Sequence, residues 1–393
     1  VTFEEQEMMS MIKKEISEIK RLFTPANCSI TRICGCYVDG EKNKKTELKE
    51  AFMSLPEDDM FKYFEILRKS LSGTLGKNLL NLDFPLDTEM EGGPQEFLLR
   101  LRGSKLQDDE ILEAFYDRVI ETYDYVGNYL ILIVHDSYDI PGKTSDGLSM
   151  DDASDEVFSY ILCCICPVDL SKPGLSYNEV QNTFSNRVRD WVVAMPEMGF
   201  LFPAFNDRST DIHSTLYYSK NADDLQDSFV EQLLGCPLPL PAGYQKESFT
   251  AIIEETLGET CSYETVRTIH EHLNEMLEEH KDDPEPLMLD KYQVKNLLET
   301  SGVEEEALQD FDKHFDETAG EKAAIFANNV VNTRAFEVKT PDVIIKVNPE
   351  RSGLIETKEI DGRRCLVIEI EGAVEVNGIL VRGSGSDGLE EKE

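Results

Sequence analysis

The chain has 393 residues, 77 acidic against 39 basic, for a formal net charge of −38. A field of that sign repels nucleic-acid phosphate and anionic membrane surfaces. The hydrophobic content of 40%, with 19 Phe and 14 Tyr, is that of a chain that buries real cores and argues against global disorder.

The length predicts two or three domains. Lys is not depleted (24 Lys and 15 Arg), so the acidity is not the pattern of salt adaptation and reads as a solvated surface. Glu4, Glu5 and Glu7 stand where a secretory leader carries positive charge. The longest apolar runs, Tyr129–Val134 and Ile161–Cys166, are too short to span a bilayer. Nine cysteines, an odd number concentrated on strand-like segments, read as reduced thiols. A cytoplasmic protein is expected, with no membrane partner and no cofactor.

A first helix is predicted over Lys13–Phe23, stopped by Thr24-Pro25, and a strand over Ser29–Asp39. A second helix starts near Ser54, with Glu57 completing a capping box, and runs to about Leu71. A third starts at Ser104 with Gln107 three residues on, and turns Leu112, Phe115, Val119 and Tyr123 inward. Apolar segments at 129–135, 158–166, 199–205 and 213–219 are strands joined by loops too short for crossover helices. They predict an antiparallel or mixed sheet with helices on one face.

After a helix at 223–234, Cys236-Pro-Leu-Pro-Leu-Pro241 reads as a linker. The expected organisation is an α+β domain over 1–235, a linker at 236–246, an acidic helical segment at 247–330, a small C-terminal β meander at 331–382 and a disordered tail at 383–393. In the helical segment, Val266, Ile269, Leu273 and Leu277 form one stripe. Asp290 with Gln293 caps one helix, and Ser301 with Glu304 another. Asp361-Gly362 between Ile355–Ile360 and Cys365–Ile370 predicts a two-residue hairpin.

Lys13-Lys-Glu-Ile-Ser-Glu-Ile-Lys-Arg-Leu-Phe-Thr-Pro25, Ile33-Cys-Gly-Cys-Tyr-Val-Asp-Gly40, Ser72-Gly-Thr-Leu-Gly-Lys-Asn78 and Met198-Gly-Phe-Leu-Phe-Pro203 carry a resemblance. From about Lys13 to Leu380 the chain resembles an uncharacterised domain-of-unknown-function family of Firmicutes. The resemblance implies a bacterial cytosolic origin and lends no catalytic residue.

Gly73-Thr-Leu-Gly-Lys-Asn78 only superficially suggests a phosphate loop: Leu71 stands where the first glycine belongs, and Asn78 replaces the metal-binding hydroxyl. Cys34/Cys36 and Cys164/Cys166 could form a four-thiolate metal site if neighbouring strands brought them to one face; core packing is the preferred reading. His135, Asp136 and Asp139 end one apolar run, while Asp207, Asp211 and His213 precede the last strand of that set. Side by side, the two groups would suit a metal-assisted hydrolase or acid–base chemistry; ordinary turn chemistry is the alternative. His270 and His272 have no His-Glu-x-x-His partner.

Lys291–Leu298 and Glu304–Phe315 have helix-turn-helix spacing, but residues 251–320 hold 20 acids and 5 bases, a net of −15, so DNA reading by this element is disfavoured. Residues 11–50 are the exception, with 9 bases and 6 acids for +3, and Lys42, Lys44, Lys45 and Lys49 crowd one loop. That loop could touch a nucleic acid or an acidic partner, or dock against the protein's own acidic domain; a solvated loop is the preferred reading. The expectation is a binding or regulatory protein without catalytic activity, with a protein as its partner.

Overall fold

The computed structural model describes residues 10–143, 149–320, 323–370 and 372–381. The chain divides into two compact units, 1–246 with 283–286, and 247–282 with 287–393.

The first unit is built on one large antiparallel sheet. Its elements are α1 (Lys13–Leu22), β1 (Arg32–Val38), β2 (Lys44–Ala51), α2 (Glu57–Ser70), β3 (Leu79–Asp83), α3 (Pro94–Gly103), α4 (Asp109–Thr122), β4 (Asn128–Lys143) and β5 (Ser149–Leu170). Two short strands, β6 (Leu175–Asn178) and β7 (Thr183–Asn186), lead to β8 (Trp191–Val193), β9 (Met198–Phe202), β10 (Ala204–Asn206), β11 (Ser209–Asp211) and β12 (Ser214–Ser219). The sheet runs β2-β1-β4-β5-β9-β12-β3, with β8 also paired to β5.

The central strands are apolar on both faces, and each face has its own core. Cys34, Cys36, Ile131, Ile133, Cys163, Ile165 and Phe200 pack with Leu98, Leu101, Phe115 and Val119 of α3 and α4. Ile33, Leu132, Val134, Leu162, Cys164 and Leu201 pack with Ile16 and Ile19 of α1 and Phe64 and Leu67 of α2. Helices therefore cover both faces, whereas the sequence predicted one covered face; the missed helix is α3. Gly199 lets α2 approach, since a Cβ there would lie 2.5 Å from the Cys163 carbonyl oxygen and 3.2 Å from Ser70 Cβ.

Several helix starts differ from those expected. The hydroxyl of Ser54 donates to the Ala51 carbonyl, and α2 starts three residues past it, after Pro56. Ser104 ends α3 rather than starting α4, which is capped by Asp108 accepting from the Glu110 and Ile111 amides. At the glycine-rich segment, Asn78 donates its amide to the carbonyls of Ser219 (3.1 Å) and Lys220 (3.2 Å), so its job is to fasten a loop.

The second unit contains α5 (Ala242–Leu257, its first turn falling in the first unit), α6 (Tyr263–Glu279), β13 (Met288–Leu289), α7 (Lys291–Thr300), α8 (Phe311–Thr318), β14 (Ile325–Phe326) and α9 (Ala327–Val330). It ends in three hairpins: β15 (Phe336–Lys339) with β16 (Ile344–Val347), β17 (Ile355–Ile360) with β18 (Arg363–Ile368), and β19 (Val374–Val376) with β20 (Ile379–Val381). Helix α5 begins at Ala242, inside the stretch expected as linker. Phe249, Ile252, Ile269, Leu273, Val294, Leu298, Phe311 and Phe315 make this unit's core.

The Asp290–Gln293 capping box forms as expected. That of Ser301 and Glu304 does not: Ser301 ends α7 and its hydroxyl lies 3.0 Å from His272 Nδ1. Glu304, Glu305 and Glu306 lie in turns before α8, so the predicted second helix of the DNA-binding pattern starts only at Phe311. Asp361 (φ +51°) and Gly362 (φ +72°) make the predicted hairpin turn. The expected tail at 383–393 lies outside the described residues.

Candidate interaction surface

Strand β5 runs 22 residues and outlasts its neighbours. Beyond the stretch paired to β9, its end pairs with β8, Val168 opposite Val193 and Leu170 opposite Trp191. The ladder then continues outward. The Ser171 amide donates to Asp190 (2.8 Å), the Arg187 amide donates to Gly174 (2.9 Å), and β6 pairs with β7 from Leu175–Asn186 to Asn178–Thr183. Residues 167–194 thus form one β-arm growing from the sheet.

Local chemistry holds the arm's shape. Asn182 takes the positive φ of the turn and accepts from the Tyr177 hydroxyl at 2.6 Å. The rings of Tyr177 and Phe184 pack across the hairpin at 5.6 Å. Arg189 donates from Nε to the Ser171 carbonyl at 2.6 Å.

What the arm lacks, among the described residues, is a cover. Val180 is 96% exposed, Val188 79%, Leu175 71%, Phe184 68% and Trp191, the chain's single Trp, 58%. Tyr177, Val192, Val193 and Met195 are also exposed. Single exposed apolar residues are ordinary, but nine within 21 positions are a patch of the kind that marks an interaction site. Residues 171–195 carry three bases (Lys172, Arg187, Arg189) and two acids (Glu179, Asp190), a net of +1 within a chain of −38.

The residues singled out from sequence do not converge elsewhere. His135 and Asp136 are both buried, but alternation on β4 sends them to opposite faces. His135 follows Ile131 and Ile133 toward α3. There its Nε2 lies 2.9 Å from Ser159 Oγ, and burial with the nearby charges of Lys105 and Arg102 pushes it down to about 4. Asp136 follows Leu132 and Val134. It accepts from Tyr160 at 3.0 Å and from the Ser137 amide at 2.9 Å, and burial pushes it up to about 6.

Asp139 is exposed on β4. Asp207 sits in the tight turn between β10 and β11, where the neighbouring Arg208 amide donates to the buried Glu15 at 3.1 Å. Asp211 accepts from Asn206 and Ser214, each at 2.7 Å, and from the His213 amide at 2.9 Å; His213 itself is exposed. No hydrogen bond or ion pair joins the 135–139 group to the 207–213 group among the described residues. Turn chemistry accounts for the second group.

The four thiols weighed as a metal site lie in two different cores. Cys34 and Cys36 lie in the core under α3 and α4, and Cys164 and Cys166 in the core under α1 and α2. The sheet itself separates the pairs, and burial pushes Cys34 and Cys36 up to about 11, away from the thiolate a metal needs. No group of three or more His, Cys, Asp or Glu side chains suited to a metal occurs among the described residues.

The lysine loop is tied to the chain's own acids. Lys44 pairs with Glu113 and with Asp117 (2.7 Å) of α4, Lys45 with Asp39 (2.6 Å), and Lys49 with Asp109 (2.9 Å) and Glu47 (3.2 Å). Lys42 is exposed at the turn.

The arm was not singled out from sequence, although a signal exists. Leu175 and Tyr177 alternate with polar residues, Asn182 marks a turn, and the only Trp sits among charged residues at 187–190. No helix among the described residues is long and apolar enough to cross a membrane. Neither a curated protein nor a solved structure matches the chain. A family model described as a domain of unknown function, DUF4317, matches residues 11–379. The chain belongs to that family.

Proposed function

We propose that this is a bacterial cytosolic binding protein, and that the β-arm of residues 167–194 is its contact element. The uncovered apolar surface from Leu175 to Met195 carries the reading, because leaving it in water opposes folding and burying it on a partner recovers that free energy. Nine free cysteines, six of them buried, support a reducing compartment, and the family resemblance supports the bacterial assignment.

Trp191, the only Trp, reports on the arm directly. In the isolated chain at high dilution, its emission should be that of a solvated indole, and a neutral quencher such as acrylamide should reach it freely. A Trp191 shielded at high dilution would mean that the arm packs on its own chain, and the reading would fail.

A further inference from the structure

We infer that the arm's partner is a second copy of this chain, joined arm to arm about a two-fold axis. The inference rests on the reading of the arm as a contact element and adds the identity of the occupant.

Three observations point to self-association. The first is area. At their exposures, the nine apolar side chains from Leu175 to Met195 leave on the order of 1,000 Å² open, against the roughly 800 Å² per partner of a standard interface.

The second is charge. A two-fold contact places a patch against itself, so the patch must be self-complementary. The stretch 171–195, at +1, meets that condition, whereas the rest of the chain, at −39 (−38 less +1), would face its own like charge. A strongly basic partner would find its complement elsewhere on the chain, and an acidic one would be repelled by the net negative charge of the chain.

The third is the contrast between two strands with an open side. At the sheet edge, β2 carries Lys44, Lys45, Glu47, Lys49 and Glu50, the charges that keep an open ladder from pairing with another chain. Strand β8 is Trp191-Val-Val193, exposed and uncharged, and among the described residues it pairs with β5 alone. A second β8 can extend that ladder and seat the two Trp191 side chains between the arms.

The experiment is sedimentation equilibrium on the full chain over a wide concentration range, at low and high salt, with Trp191 quenching measured on the same samples. The expected result is a reversible dimer in which Trp191 becomes shielded. It should tighten by several-fold as salt screens the repulsion between two −38 bodies. Val188→Asp, and separately Val180→Asp, should each weaken the dimer at least tenfold; both positions are so exposed that circular dichroism of the monomer should not change.

A chain that stays monomeric at all concentrations, with Trp191 open to quencher, overturns the second copy as occupant and leaves the arm a contact element for another protein. A monomer with Trp191 shielded overturns both readings. A dimer that ignores both substitutions, or that dissociates with salt, places the contact outside the arm and overturns the inference.

Discussion

His135 and Asp136 are consecutive on β4, yet the imidazole bonds Ser159 on one face of the sheet and the carboxylate accepts from Tyr160 on the other. Their titrations are displaced in opposite directions, His135 from 6.5 down to about 4 and Asp136 from 3.8 up to about 6, chiefly by burial in both cases.

The two displacements act oppositely on stability. Asp136 binds its proton more tightly when folded, so its contribution is full below pH 3.8 and is lost as pH rises through 6. His135 binds its proton less tightly when folded, so its contribution is full above pH 6.5 and is lost as pH falls through 4. Each is worth about 2 kcal/mol, after discounting for solvent screening of Lys105 and Arg102 around the imidazole. Between pH 4 and 6.5 they should nearly cancel. Urea midpoints across that range should show Asp136→Asn gaining stability relative to the wild type as pH rises, and His135→Gln losing it. Parallel curves for all three proteins would mean that neither group is displaced as described.

Tyr116 offers a second test. Its ring is fully buried among Cys34, Cys36 and Cys163, and its hydroxyl has no hydrogen-bond partner among the described residues. A desolvated hydroxyl without a bond costs about 1–3 kcal/mol, and Phe keeps the ring while removing it. Tyr116→Phe should therefore raise the urea midpoint by the equivalent of about 1 kcal/mol with an unchanged slope. A loss of stability would show that the hydroxyl is bonded in solution, for example to a buried water.

The strands of the first unit were legible because the segments 129–135 and 158–166 are apolar runs bounded by turn residues, which leave few readings open. The Asp361-Gly362 hairpin was legible because so few dipeptides take its backbone angles. Helix α3 was missed because it is short, its apolar residues Phe97, Leu98, Leu99 and Leu101 fall in one close run, and it starts at a proline after two glycines. Whether the 135–139 and 207–213 groups share a site was not legible, because chain position marks a strand end without saying which face a side chain takes. On β4 one residue of parity separates His135 from Asp136 by the thickness of the sheet. The arm escaped notice because nothing in a strand-like sequence says that no partner strand or helix will cover it.

The lysine loop gives the last test. Lys42, Lys44, Lys45 and Lys49 would make a phosphate-binding cluster if their charges were free. Three of the four instead face carboxylates, and Lys44 lies between two on α4. Each such pair adds little to stability because it is partly solvated, but local neutralisation removes the long-range attraction that draws phosphate. Fluorescence anisotropy with a labelled single-stranded oligonucleotide at low salt should show no binding. Replacing the partners, as in Glu113→Gln with Asp117→Asn, removes two negative charges beside Lys44 and should cost less than about 1 kcal/mol of stability. If phosphate contact at this loop is held back only by those carboxylates, the double variant should bind weakly, with an affinity that falls steeply with salt. Salt-sensitive binding by the wild type would show instead that the ion pairs open in solution and that the loop is a nucleic-acid contact after all.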